Sequence, residues 1–424
     1  MEDRPIRVLM LARAVYPLHG FGGIERHVFH LVTHLARQHV QVRLVVGTPP
    51  DEIAPHMALD QILHAAKLDT DQITLEFLHY DRTSPALRPN GIAGRQINYP
   101  LFSLGEGRLA RDLIHAQGID VVHSQGLCAF GFGVERALRP HLRGVPFIAN
   151  PHGLEEYRTP DWRKRIAYAP FRALYSWGHQ QADRVIATDA CTRDDLPRYL
   201  DVDPSKVVVI PSAIDVRECL DHVDQAHRSA LRARFALDRS DPVIMSVSRL
   251  ERNKGYHIML QALALARDVL GDRWRWLLVG QGKEAEALQE QARRLGLADH
   301  VVFVGKLNDT ELHSLYEEVD LFVHPTLYEG SSLVTLEAMI HRLPVIASAA
   351  GGIPDKVFPG RNGLLVPTND AFALADALKT AFEQRAQWPQ WADESERIVR
   401  STFDWPLVAQ QTKQEYQRLL AGES

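Results

Sequence analysis

Short runs of apolar residues alternate with longer segments in which apolar positions recur every three or four residues. In the first half, strand-like runs cover residues 6–12, 41–46, 120–123, 146–149, 184–187 and 206–210. In the second half they cover residues 242–247, 276–279, 301–304, 321–323 and 344–347. Helical patterns separate most of these runs. Continuous apolar strands that alternate with helices are typical of parallel sheets covered on both faces. The sequence therefore predicts an α/β protein with two doubly wound, Rossmann-like domains facing a cleft.

The boundary between the two halves is predicted near Ser212 and Ala213, because the segment that follows is richer in charge and weaker in strand signals. We therefore expect an N-terminal domain over residues 1–212 and a C-terminal domain over residues 213–400. Residues 401–424 read as a helix, broken at Asp404-Trp405-Pro406, that returns to the N-terminal domain. Ligands of open α/β sheets bind beyond the carboxyl ends of the strands, so we expect the functional residues in the loops that follow the strands. Dehydrogenases, kinases and periplasmic binding proteins share this pattern, so fold alone does not decide function.

Composition and charge restrict the functional classes to which the protein could belong. The 424 residues include 48 basic and 53 acidic ones, a formal net charge of −5 that gives no support to general nucleic-acid binding. Three cysteines without a paired motif indicate a reducing compartment. We see neither a signal peptide nor an apolar stretch of about 18 residues. We therefore expect a cytoplasmic protein, which could also bind peripherally to the inner face of the membrane.

Two cations follow the first strand of the second half. Arg249 and Lys254 lie in a loop that leads into a helix, near the mouth of the predicted sheet. Two fixed cations suit a leaving diphosphate, whose negative charge grows as a glycosidic bond breaks. The alternative is a pair of solvated surface cations.

Two carboxylates follow the strand at residues 321–323. Glu329 would precede a helix that runs through Ile340, Ser331 or Ser332 would be its N-cap, and Glu337 would lie about two turns into it. The start of a helix is a ready anion site, and carboxylates beside it can accept hydrogen bonds from sugar and ribose hydroxyls. The alternative is a helix-start acid and a structural ion-pair partner.

Taken in order, these motifs resemble the family 4 retaining glycosyltransferases, which have the GT-B fold. Glu329-x7-Glu337 matches the family's EX7E motif, and Arg249 and Lys254-Gly255 match its Arg and Lys-Gly. Further similarity lies at Gly22-Gly23, at His152 in Pro151-His152-Gly153, at Val279-Gly280-Gln281-Gly282, and at residues 182–187 and 362–367.

The resemblance implies a role for each matched residue. Arg249 and Lys254 would bind the donor diphosphate, Glu337 the ribose hydroxyls and Glu329 the transferred sugar. His152 would face the reacting sugar from the N-terminal domain. The donor-binding glycines and backbone groups would be Gly22, Gly23, Gly280, Gly282, Gly330, Ser331, Ser332 and Leu333, with Gly22 and Gly23 near the diphosphate or the acceptor.

Two departures from the family pattern stand out. Ser331-Ser332 replaces the usual Phe-Gly, which leaves the sugar contacts less defined. Ser212-Ala213 replaces the usual Asn-Gly before the inter-domain segment.

The implied activity is retaining transfer from a nucleotide diphosphate sugar, with UDP favoured over GDP, to an acceptor hydroxyl. The acceptor would be a lipid-linked glycan or another cell-envelope precursor. The nucleotide sugar is a co-substrate, and we expect neither a cofactor nor a catalytic metal: the acidic triplets at residues 69–71 and 201–203 read as solvated turns. A nucleotide-sugar epimerase and a non-catalytic nucleotide-sugar-binding subunit are the alternatives.

Residues 158–177 mix cations with aromatic side chains. Such a segment suits an anionic membrane interface, or else forms a helix that packs its aromatics into the first domain. The loop at residues 85–100 is expected to influence acceptor choice, and backbone groups near residues 305–307 to read the nucleotide base.

Overall fold

The computed structural model describes residues 4–20, 22–50, 53–80, 94–154, 157, 162–238 and 240–423. The chain forms two compact units. The first comprises Met1–Pro211 together with Trp405–Ser424, and the second comprises Ser212–Asp404. The divisions thus lie at 211/212 and 404/405, where the sequence placed them at 212/213 and 400/401.

Among the described residues, the first unit contains one sheet with the strands β1 (Arg7–Leu11), β2 (Gln41–Gly47), β3 (Ile73–Leu78), β4 (Val121–Gln125), β5 (Phe147–Asn150), β6 (Arg184–Ala187) and β7 (Val207–Val209). The order of these seven strands is β3-β2-β1-β4-β5-β6-β7, and all pairs are parallel. Its helices are α1 (Gly23–Arg37), α2 (Pro55–Ala65), α3 (Tyr99–Gln117), α4 (Cys128–Leu138), α5 (Trp162–Ala167), α6 (Ala169–Gln180) and α7 (Ala190–Leu200). A π-helical turn, Gly94–Asn98, precedes α3.

The described part of the second unit contains a sheet with the strands β8 (Val243–Val247), β9 (Arg275–Val279), β10 (Val301–Gly305), β11 (Leu321–His324), β12 (Val345–Ser348) and β13 (Gly363–Val366). The order of these six strands is β10-β9-β8-β11-β12-β13, again with all pairs parallel. Its helices are α8 (Val216–Asp221), α9 (Gln225–Arg234), α10 (Tyr256–Leu265), α11 (Arg267–Leu270), α12 (Ala285–Arg294), α13 (Asp309–Tyr316), α14 (Leu333–Ile340), α15 (Ala371–Glu383) and α16 (Trp388–Thr402). The prediction of two parallel α/β sheets is confirmed.

Burial explains which strands the sequence reveals. Strands β8 and β12 are buried at every position, and each is a run of apolar residues with one serine. The sequence analysis missed β3 and β13, which lie at sheet edges. In β3, only two of the six positions are buried, and Glu76 forms an ion pair with Arg43 of the neighbouring strand. An edge strand that is buried at so few positions lacks the apolar run on which the prediction depended.

The last helix, α17 (Trp405–Ala421), belongs to the first unit. The Trp405 ring stacks on His30 and His34 of α1, with ring centroids 5.6 and 6.3 Å away. Further along, the Tyr416 hydroxyl lies 2.7 Å from Nδ1 of His123 in β4. Both α17 rings are buried, so this helix completes the core of the first unit.

Helices α3 and α4 approach each other closely because glycine occupies the contact. A Cβ atom on Gly131 would lie 1.7 Å from the Ser103 carbonyl oxygen, and one on Gly107 would lie 2.2 Å from the Gly131 carbonyl oxygen. The obstructing atoms are backbone atoms, which cannot rotate away as a side chain can. The spacing of the two helices therefore depends on these glycines.

We predict that Gly131→Ala lowers the free energy of unfolding by roughly 2–3 kcal/mol, the cost of overpacking a close helix contact. Gly144→Ala is the matched control, since a Cβ there has no atom within 4 Å. Urea-induced unfolding of both variants measures the difference. Equal midpoints for the two variants would contradict the close contact.

Candidate functional site

Two neighbouring strands of the second unit, β8 and β11, end beside each other, and the loops that follow them are joined. The Leu327 amide donates to the Asn253 carbonyl oxygen at 2.8 Å, and the Thr326 hydroxyl donates to the same oxygen at 3.2 Å. Gly255 has a φ of 73°, and a Cβ there would lie 1.8 Å from the Pro325 carbonyl oxygen. Only glycine lets the two loops come this close.

This approach brings Lys254 to Glu329. The Lys254 Nζ lies 2.8 Å from Oε2 of Glu329, and their side chains are only 13% and 16% exposed. His324, the last residue of β11, places its Nε2 2.8 Å from the same oxygen and is fully buried. One carboxylate oxygen thus receives two donors.

The environment fixes the charge of Glu329. Burial alone would raise the pKa of Glu329, but the hydrogen bonds and charges of His324 and Lys254 outweigh burial and lower that pKa to about 2. The carboxylate is therefore ionised throughout the neutral range, and it is a weak base. The sequence analysis did not single out His324. Its position at the carboxyl end of a buried strand was the available signal.

Arg249 lies apart from this ion pair. Its side chain is 74% exposed, and its guanidinium lies 2.9 Å from the Glu251 carboxylate. Of the two cations that the sequence singled out, the structure brings Lys254 to Glu329 and leaves Arg249 in solvent.

Helix α14 begins where the sequence placed it and ends at Ile340. Ser332 occupies the N-cap position, but its backbone is left-handed, with φ 45° and ψ 74°, and its side chain does not cap the helix. Its hydroxyl instead pairs with that of Thr335 at 2.8 Å. Ser332 is thus at the expected N-cap position, but the expected hydrogen bond from its side chain to the helix is not formed.

Glu337 is the fifth residue of α14, little more than one turn from its start rather than the two turns expected. The Tyr316 hydroxyl donates to Oε2 of Glu337 at 3.4 Å. Burial, with the Glu337 charge added, raises the pKa of Tyr316 well above its usual value, so the phenol stays a neutral donor. The Tyr316 ring stacks on His341, whose Nδ1 lies 2.7 Å from the Glu317 carboxylate. Glu337 is therefore held by Tyr316, which is itself packed against His341.

The glycines after β9 have a steric function in the structure. A Cβ on Gly280, which has a φ of 136°, would lie 1.8 Å from the Ser248 carbonyl oxygen. A Cβ on Gly282 would lie 2.3 Å from the Leu250 carbonyl oxygen. These glycines let the turn after β9 lie against the loop that carries Arg249 and Lys254. In contrast, a Cβ on Gly330 would have no atom within 4 Å.

In the first unit, Gly22 and Gly23 stand at the start of α1, directly after the β1 loop. A Cβ on Gly22 would lie 2.1 Å from Oε2 of Glu25, a flexible side-chain atom. Gly23 has open space at the same position. The glycine pair thus leaves the first turn of α1 accessible to another group.

His152 follows β5 with a φ of 62°, and its Nε2 lies 2.7 Å from Oε1 of Gln125, the last residue of β4. Its ring packs edge-on against His27, with centroids 4.6 Å apart. Burial, together with His27 and His179, lowers the pKa of His152 well below its usual value. The imidazole is therefore neutral at pH 7 and donates from Nε2 to Gln125.

The segment 158–177 divides into two parts. Phe171 and Tyr175 of α6 are buried in the first unit, as the packing alternative expected. Trp162 and Ile166 of α5 are 64% and 66% exposed. Residues 158–161, like residues 85–93 of the loop expected to influence acceptor choice, lie outside the described residues. Among the residues that are described, no helix is both long and apolar enough to cross a bilayer.

Comparison with known proteins identifies the family. Residues 21–218 match the model described as Glycosyltransferase Family 4, and residues 227–399 match the one described as Glycosyl transferases group 1. A glycogen synthase of Mycobacterium tuberculosis is 28% identical over 99% of this chain and 96% of its own. An alpha-maltose-1-phosphate synthase of Mycolicibacterium smegmatis is 30% identical over 72% of this chain and 81% of its own.

Solved structures share the fold. A sucrose-phosphate synthase from Thermosynechococcus elongatus superposes with a TM-score of 0.72 at 21% identity, over 98% of this chain and 100% of that one. Anabaena Alr3699/HepE in complex with UDP-glucose gives a TM-score of 0.66 at 20% identity, over 97% and 99% of the two chains.

The two parallel α/β units and the structures that superpose on them define the GT-B fold, and the matching family models and relatives define a glycosyltransferase. The chain belongs to glycosyltransferase family 4. The family and the enzyme class expected from the ordered motifs are thereby confirmed.

We predict that Gly255→Ala destabilises the second unit by more than about 2 kcal/mol, because it adds a backbone clash to a left-handed conformation. The control is Gly296→Ala, which has a φ of 67° but meets only the flexible side chain of Arg267 at 3.6 Å. That variant should lose only about 1 kcal/mol. Urea-induced unfolding compares the two, and equal losses would show that the loop contact adds nothing.

Proposed function

We propose that this enzyme transfers a sugar, with retention of configuration, from a nucleotide diphosphate sugar to an acceptor hydroxyl. The observation that carries the proposal is the Lys254–Glu329 pair, at 2.8 Å, close in sequence to the start of α14. It unites a cation for a leaving diphosphate with a carboxylate for sugar hydroxyls. The spacing of Glu329 and Glu337 supports the same donor.

UDP is the nucleotide we favour. The Alr3699/HepE structures that share this fold contain UDP, UDP with glucose, or UDP-glucose, whereas a starch synthase structure of similar fold contains ADP. The relatives include D-inositol 3-phosphate glycosyltransferases and glycogen synthases, which differ in acceptor. Nucleotide choice is therefore tested across UDP-, GDP- and ADP-sugars.

In the proposed reaction, the bond between the anomeric carbon and the diphosphate oxygen breaks as the acceptor oxygen bonds to the same face. The acceptor proton passes to an oxygen of the departing diphosphate. The low pKa of Glu329 supports this route, because a carboxylate with a pKa of about 2 is a poor general base. Glu329 instead holds sugar hydroxyls and stabilises positive charge that develops on the sugar ring.

The diphosphate charge is met by Lys254, by Arg249 and by the free amides at the start of α14. The exposed Arg249 side chain is free of burial constraints and turns from Glu251 toward the diphosphate. Glu337, held by Tyr316, accepts hydrogen bonds from the ribose hydroxyls. With these groups, the proposed reaction proceeds without a metal ion, so chelator should leave its rate unchanged.

For the first unit, we propose the roles that the resemblance to family 4 implies for Gly22, Gly23 and His152. The glycine pair gives close backbone approach for the diphosphate or acceptor. The neutral His152 offers its ring and backbone to the transferred sugar. We assign Gly280 and Gly282 an indirect part, since they support the loop that carries Lys254.

Lys254→Met should reduce transfer at least about 100-fold, because it removes a charge that stabilises the leaving group. Glu329→Gln should produce a loss of similar order. Lys379→Met is the matched control: it removes an ammonium that pairs with Asp268 elsewhere in the second unit, and it should retain the wild-type rate. The assay follows nucleotide release and sugar products from the three donor classes, with chelator present and absent.

Each alternative has its own result in this assay. A changed sugar formed without acceptor would favour an epimerase. Tight donor binding without turnover would favour a non-catalytic subunit. Proton NMR of the first product reports anomeric configuration, and an inverted product would contradict front-face transfer.

For the acceptor, we propose a lipid-linked glycan, reached through peripheral contact with an anionic membrane. Four large apolar side chains are at least 49% exposed on neighbouring segments of the first unit: Ile97, Leu101, Trp162 and Ile166. Gln96 joins the segments, since its Nε2 donates to the Ala167 carbonyl oxygen at 2.8 Å and its Oε1 accepts from the Phe171 amide at 3.0 Å. Basic residues 163–165 follow Trp162 in the sequence.

The double variant Trp162→Ser/Ile166→Ser should weaken binding to vesicles of phosphatidylglycerol and phosphatidylcholine at least about tenfold, since two large apolar side chains leave the interface. Leu138→Ser is the matched control, because Leu138 is 68% exposed on α4 of the same unit. Co-sedimentation measures binding. Unchanged binding of the double variant would exclude this surface.

A further inference from the structure

Lys356 is a fully buried cation in the turn that follows β12. Its residue is 1% exposed, and its Nζ donates to the Gly352 carbonyl oxygen at 2.9 Å. The same ammonium lies 5.4 Å from the centre of the Phe403 ring and 3.5 Å from Oγ of Ser331. Ser331 belongs to the segment that joins Glu329 to α14.

The turn is pressed directly against that segment. Gly351 has a φ of 54°, and a Cβ there would lie 1.9 Å from the Glu329 carbonyl oxygen. The Gly352 amide donates to the Gly330 carbonyl oxygen at 2.9 Å. These backbone contacts fix the ammonium of Lys356 beneath the loop that carries Glu329.

Burying an ammonium costs several kcal/mol unless its surroundings compensate. The contacts of the Lys356 ammonium include the Ser331 hydroxyl, at 3.5 Å. Ser331 is the first of the two serines that replace the usual Phe-Gly of the family, and a hydroxyl here can receive a hydrogen bond where a phenyl ring cannot.

We propose that Lys356 is a positioning residue for the donor diphosphate, acting through Ser331. A serine hydroxyl has one donor hydrogen and two acceptor lone pairs. When the Lys356 ammonium donates to Oγ, the hydroxyl hydrogen is directed away from Lys356 and toward a phosphate oxygen of the donor. The buried charge also adds positive potential at the start of α14, where the free amides already favour an anion.

This inference rests on the proposed function, since it takes the diphosphate to bind at the segment between Glu329 and α14. It assigns that site two lysines of different kinds. Lys254 contacts the ligand region directly from the loop after β8. Lys356 acts from the turn after β12, through the Ser331 hydroxyl and through the positive potential of its buried charge.

The test compares UDP with uridine as probes, by isothermal titration of the full-length chain. Lys356→Met keeps the approximate length of the side chain and removes its charge, and urea-induced unfolding establishes that the variant is folded before its binding is measured. We expect UDP to bind about tenfold more weakly and uridine to bind as to wild type, the size of a charge-assisted hydrogen bond. Lys379→Met, which removes a lysine paired with Asp268, should bind both probes as wild type does.

Ser331→Ala provides a second route to the same answer, because it alters a partly exposed loop residue and leaves Lys356 in place. It should weaken UDP binding severalfold, and adding Lys356→Met should then cost less than it does in wild type, as expected of two groups that act together.

Three results would overturn the inference. Lys356→Met could bind UDP as tightly as wild type while Lys254→Met loses it, which would leave Lys356 a structural residue and the proposed function intact. UDP and uridine could weaken equally, which would indicate a general disturbance of the loop. Wild-type protein that binds none of UDP, GDP and ADP would instead reject the proposed function itself.

Discussion

The contact between Gly255 and Pro325 is the constraint on which the second unit's site depends. Because no Cβ intervenes, the loops after β8 and β11 share hydrogen bonds at Asn253, and Lys254 reaches Glu329. His324 then approaches the same carboxylate from the core. The charge state of Glu329 is a consequence of this geometry, since its pKa is lowered by His324 at the end of β11 and by Lys254 in the loop after β8.

Near Lys254 and Glu329, other glycines also allow neighbouring loops to approach each other closely. Gly280 and Gly282 seat the turn after β9 on the loop after β8, and Gly351 seats the turn after β12 on Glu329. Four consecutive strand ends of one sheet are thereby connected through backbone contacts. These contacts constrain the main chain of the site. The loops therefore differ mainly in the side chains that they present, such as Lys356 and Ser331.

Much of this could be predicted from the sequence, and the exceptions have physical causes. Fully buried strands could be predicted, whereas β3 was missed because only two of its six positions are buried. The Lys254 and Glu329 motif residues indicated a site, but the sequence could not show that Arg249 would pair with Glu251. Nor could it show that Ser332 would adopt a left-handed backbone and bond to Thr335, since serine at that position usually caps a helix. His324 and Lys356 were missed because each acts through burial, which depends on tertiary packing.

The discontinuous first unit has a consequence for synthesis. Its β-sheet is encoded in the first 211 residues, yet Trp405 and Tyr416, which cover His30, His34 and His123, come from the end of the chain. During synthesis on the ribosome, the surface of the first unit that α17 covers therefore stays exposed until the whole second unit has been made. The half of the protein that is synthesised first is thus the half whose fold is completed last.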